Sequence, residues 1–98
     1  MYVGACQVRL HLPTSHSLKD KRQIVKSILA KLRGHFEVAA AEVDDLEVWQ
    51  VATLGIASVS NDAAHLRDLL DNAIRYIEDS RPDIEITDAQ VDVQRAIG

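Results

Sequence analysis

Cysteine occurs once in these 98 residues, at position 6. A single thiol excludes an internal disulfide and any cysteine-based metal cluster. The four glycines are scattered along the chain, so they cannot build a phosphate-cradling loop. No apolar run approaches the roughly 18 residues of a membrane span. No signal-peptide pattern opens the chain, which enters a strand-like alternation at once, and a cytoplasmic location is expected. The four histidines, His11, His16, His35 and His65, show no i, i+4 pair on one helix and no acid that completes a ligand set. No metal and no cofactor are therefore expected. No serine–histidine–aspartate arrangement is visible either, and an enzyme is not expected.

What is present fits one domain spanning 1–98. The chain is 47% hydrophobic and 27% charged, ordinary for a globular protein. Its net charge of −4 hides an asymmetry. Residues 1–36 carry seven Lys/Arg against Asp20 alone, for +6, and the remainder carries −10. Such an imbalance predicts a basic face on an acidic body.

Residues 2–12 alternate with the period of a half-buried strand, ended by Pro13. Leu18, Val25, Ile28, Leu29 and Leu32 recur at helical spacing, predicting a helix from about Leu18 to Arg33 with Gly34 as its stop. A second strand is expected over 35–43 and a third over 48–59, joined by the acidic Asp44-Asp45-Leu46-Glu47. Ser60-Asn61-Asp62 predicts the cap of a second helix, whose apolar face holds Leu66, Leu69, Leu70, Ala73, Ile74 and Ile77. After the break at Arg81-Pro82-Asp83, the last strand changes phase between Ile86 and Ala89, predicting a bulge near Thr87-Asp88. The order is βαββαβ. It predicts an α+β, ferredoxin-like split βαβ fold: a four-stranded antiparallel sheet with two helices on one face.

The first helix begins against its own dipole. Lys19, Lys21 and Arg22 follow the candidate N-cap Ser17, and exposed cations there cost about 0.3–1 kcal/mol each. Lys19, Arg22, Lys26 and Arg33 form one stripe along the helix flank, whereas Lys21 falls inside the apolar arc and must snorkel out or meet an acid. In this topology the acidic hairpin lies at the same end as that helix start. Two readings stay open. Asp44, Asp45 and Glu47 neutralise the basic start, or the flank serves an anion.

His16-Ser17-Leu18-Lys19-Asp20-Lys21-Arg22, Ala41-Glu42-Val43-Asp44, Trp49-Gln50, Leu54-Gly55 and Ser60-Asn61-Asp62 resemble the signature segments of the YlxP-like family of small bacterial proteins. The resemblance covers nearly the whole chain in order and spacing. It implies a ferredoxin-like fold. Genes of that family often lie beside those for translation initiation and ribosome-binding factors, which implies a role near RNA or the ribosome. The family supplies no catalytic residues to carry over.

Together these readings give an expected function. His16, Lys19, Lys21, Arg22, Lys26 and Arg33 are the candidate contacts to RNA or the ribosome, through phosphate rather than base edges. The usual ferredoxin-like RNA reader stacks bases on aromatics of its two central strands. Here the outward centres are Ala5, Gln7, Thr53 and Gly55. The alternative is a small-molecule anion-binding or regulatory homodimer. The face that the helices leave uncovered is expected to carry Val3, Ala5, Ala39, Ala41, Val43, Trp49, Val51, Gly55, Ala57 and Val59, too apolar for a solvated sheet, so a homodimer through that face is expected.

Overall fold

The computed structural model describes residues 1–98. The alternation of the first segment becomes β1 (Tyr2–His11), in which Cys6, Val8 and Leu10 are buried and Ala5, Gln7 and Arg9 are exposed. Then follow α1 (Leu18–His35), β2 (Ala39–Asp44), β3 (Val51–Ser60), α2 (Ala63–Ser80) and β4 (Glu85–Arg95). The strands form one antiparallel sheet in the order β2-β3-β1-β4. Helix α1 packs against β2, and α2 against β1, β3 and β4. Both helices bury their apolar stripes on the face carrying Val8, Leu10, Leu54 and Ile56, each almost fully buried with Leu32, Leu70 and Ile77. This is the ferredoxin-like arrangement expected from the sequence.

Caps and bulges follow local chemistry. The Ser17 hydroxyl accepts the Asp20 N–H at 3.0 Å. Asp62 Oδ1 accepts from Ala64 N and His65 N at 2.9 and 3.2 Å. In β4 the register against β1 shifts between Arg9 and Leu10, leaving Thr87 as the extra residue, as the phase change predicted. Its hydroxyl donates to Arg9 O at 3.3 Å. At the break after α2, Arg81 grips Asp83 with two hydrogen bonds of 2.9 and 2.8 Å, and these hold the Asp83 carboxyl below its usual range.

Three boundaries differ from the sequence reading. Helix α1 runs through Gly34 to His35, because Gly34 keeps an ordinary negative φ and the true end is Phe36, whose N–H bonds Leu32 O. The His35 and Phe36 rings both settle against Tyr76 of α2, 4.4 and 5.6 Å away between centroids, which holds that last turn. Strand β2 consequently starts at Ala39. Strand β3 starts at Val51, not 48, since 45–50 fold into the connection. Trp49 therefore belongs to that connection and not to the open sheet face. Val51 remains on the open face, opposite His11. The bulge near this end lies in β2, between Glu42 and Asp44.

Gly4 marks the closest approach of sheet and helix. A Cβ there would stand 2.8 Å from Leu66 Cγ and 2.9 Å from Leu70 Cδ1, both in buried side chains of α2. Gly4→Ala should lower the urea midpoint by the equivalent of about 1–3 kcal/mol, an overpacking cost. Gly55→Ala should do much less, because its Cβ would meet only the half-exposed Val43 side chain.

Candidate nucleic-acid interface

The start of α1 is organised from both sides of its cap. Ser15 is fully buried, with its hydroxyl on Ser17 O. Asp20 Oδ2 accepts the His16 N–H at 3.0 Å, which folds the approach back over the first turn. From this frame Lys19, Arg22 and Lys26 extend into solvent. Arg33, two turns further on, is exposed but sends Nη2 to Ala40 O of the edge strand β2 at 2.5 Å. That contact fixes the stripe to the flank of α1 above the β2 edge.

Lys21 is the exception: it is a buried residue and not the surface contact expected from the sequence. It is 1% exposed. Its Nζ donates to Asp45 O at 2.5 Å and Val48 O at 2.7 Å and lies 2.7 Å from Glu42 Oε2. The Glu42 oxygen is close but off the hydrogen-bond direction, so it is paired by charge and has no other partner. A buried ammonium carries a desolvation cost of several kcal/mol, and here one carboxylate and two carbonyls offset it. Lys21 thus ties α1 to the β2–β3 connection and is unavailable to a ligand.

The acids of that connection do not pair with the rest of the stripe. Asp45 takes a left-handed φ of 57° and turns its side chain to the open face. There Oδ2 accepts the Thr53 hydroxyl at 2.7 Å and faces Arg9 Nε at 3.6 Å. The ion pairs of the molecule involve Arg9, His11, Lys21 and Arg81; none includes Lys19, Arg22, Lys26 or Arg33. At the basic start of α1 an ion pair therefore reaches Lys21 alone, and through Glu42 of β2 rather than Asp44, Asp45 or Glu47.

Sequence reasoning missed Glu42 as a partner, although the signal existed. A lysine in an apolar arc asks for an acid, and strand parity with Ala40 points Glu42 toward the helices. The connection is further held by Gln50, whose side chain donates to Ser15 O at 3.1 Å and whose carbonyl accepts the Leu12 N–H at 2.8 Å.

On the other side of the sheet lies an open groove of about 600 Å³, floored by Ala5, Ala41, Gly55 and Ala57 and bounded by Val43 and Gln90. Cys6 contributes from the core side. Burial pushes its thiol up to about 11, and the Asp71 charge adds to the shift, so it stays protonated at neutral pH. No helix is long and apolar enough to cross a membrane.

Lys21→Met should destabilise the protein by about 3–5 kcal/mol in chemical denaturation, since it strands Glu42. The double variant Lys21→Met with Glu42→Leu should recover much of that loss. Equal instability of the two variants would show that the charge pair is not the source.

Comparisons with known proteins bear on the fold and on the family. The solution structure of a de novo designed protein with a ferredoxin fold superposes with a TM-score of 0.60 at 15% identity, covering 100% of this chain and 89% of that one. A putative chlorite dismutase superposes with a TM-score of 0.56 at 12% identity, covering 95% of this chain and 44% of that one. At such identities the likeness is one of fold. In sequence, the uncharacterised protein YlxP of Bacillus subtilis (strain 168) is 32% identical over 85 residues, covering 87% of this chain and 91% of the relative. The profile of DUF503, described as a protein of unknown function, matches residues 3–91, and the chain belongs to that family.

Proposed function

We propose that the protein binds the phosphate backbone of RNA, free or within the ribosome, through Lys19, Arg22, Lys26 and Arg33, with His16 at the end of the stripe. One observation carries this reading. Four cations share a flank, Lys19 and Arg22 of them in or next to the first turn, where the helix dipole disfavours them, and none has an ionic partner although acids stand on the neighbouring connection. An unneutralised row of one sign suits a polyanion, whose binding releases condensed counterions. The genomic setting implied by the family resemblance favours RNA over other polyanions. Reversing Lys19, Arg22 and Lys26 to Glu should abolish RNA or ribosome association while circular dichroism stays native. In single variants, each cation withdrawn from a phosphate should flatten the log–log salt dependence by about 0.7–0.9. Unchanged association in the triple variant would overturn the assignment.

The open sheet face supports self-association alongside this activity. Ala39, Ala41, Val43, Ala57 and Val59 leave one half of that face small and apolar, with Val43 and Val59 at least half exposed. Strands of 6, 10, 10 and 11 residues offer roughly 600 Å² per copy over the whole face, from about 3.3 Å per residue and 4.8 Å between strands. Two copies would bury about 1,200 Å², the lower end of stable interfaces. Sedimentation equilibrium at micromolar concentration should give a dimer, and Ala57→Glu or Ala41→Glu a folded monomer. A monomeric wild type would place the interface elsewhere or nowhere.

A further inference from the structure

Trp49 is half exposed, at 51%, on a backbone that is anything but loose. Its two neighbours are both tied down. The Val48 carbonyl accepts from Lys21 Nζ, and Gln50 is fastened to Leu12 and Ser15. The ring borders a cleft of about 460 Å³ between the β1–α1 and β2–β3 connections, lined by His16, Val48, Trp49 and Gln50. The Gln50 amide nitrogen is committed to Ser15 O, and its oxygen carries no hydrogen bond within the protein. Lys19 and Arg22 rise from the first turns of the adjoining helix, and neither has an ionic partner. An aromatic face with an amide beside it, at the end of the fold where a cationic helix flank starts, supplies the parts of a single-strand site, where bases stack and phosphates pair with charge.

We propose that this cleft takes one unpaired base of single-stranded RNA, stacked on the Trp49 indole beside His16, with its flanking phosphates on Lys19 and Arg22. The assignment rests on the phosphate-binding reading of the α1 flank and adds to it a preference for single strands. It differs from the usual ferredoxin-like reader in using the end of the fold rather than the sheet face.

Trp49 is the one tryptophan, so its emission reports the ring directly. An unstructured RNA decamer should quench it. A duplex of equal length and inorganic polyphosphate should bind, by competition, without quenching. Trp49→Ala should weaken decamer binding by about 5- to 150-fold, the range of one base–aromatic stack, while Trp49→Phe keeps most of the affinity. Salt-dependent decamer binding without quenching, and undiminished in Trp49→Ala, would overturn the stacking site and leave the phosphate reading standing. No binding of any polyanion would overturn both. Emission that changes with protein concentration and not with RNA would identify the ring as a contact between copies and equally overturn the stacking site.

Discussion

The Lys21 ammonium is the point through which the β2–β3 connection is held to α1. It is a cation in the first turn of a helix, where the dipole is unfavourable, and it is buried, where desolvation is unfavourable. Glu42 and the carbonyls of Asp45 and Val48 offset both costs. Replacing such a pair by hydrocarbon often leaves stability unchanged, so its value here is positional. A methionine would fill the space, but it would not choose which carbonyls of a six-residue connection turn inward. Asp45 completes the arrangement, since its carbonyl points to Lys21 and its carboxylate to Thr53 and Arg9 on the opposite face. One residue with a left-handed backbone thereby fastens the connection to both sides of the sheet.

Charge is sorted in space as it is in sequence. Four unpaired cations line the α1 flank above the β2 edge, while β4 presents Asp88, Gln90, Asp92 and Gln94 outward at the far edge of the sheet. The rows across the open face make the gradient visible: Ala39, Ala57, Ala5 and Asp92 lie side by side, as do Ala41, Gly55, Gln7 and Gln90. The face is apolar on the β2–β3 side and polar on the β4 side. A basic flank and an apolar half-face on different surfaces can be occupied at the same time.

Much of this was legible in the residues. Alternation in 2–12 and the Leu66–Leu70–Ala73–Ile77 spacing gave both the elements and their inward faces, because burial on one side leaves a period. The phase change at Thr87 was legible for the same reason. What could not be read was where elements stop when tertiary contacts decide. Gly34 looks like a helix terminator, yet Phe36 and His35 gain a partner in Tyr76 by staying on course. Trp49 looks like a strand residue, yet Lys21 draws the neighbouring carbonyl of Val48 into a turn. The pairing of Lys21 with an acid was legible, but the choice of Glu42 over the more numerous acids beside it was set by the β2 pleat. Strand parity with Ala40 carried that information, but only once β2 is known to lie against α1.

Strand β1 sits at the centre of the sheet, flanked by β3 on one side and β4 on the other. Its β4 partner comes 74 to 93 residues later in the domain, from the pairing of His11 with Glu85 to that of Tyr2 with Arg95. During synthesis β1 must therefore wait with one row of backbone amides and carbonyls unmatched and its partner not yet made. Contacts of such long sequence separation slow folding, because chain closure precedes any reward. In that interval a nascent β1 is a sticky edge, and the polar Gln7, Arg9 and His11 on its outward side lessen the chance that it pairs with the wrong chain.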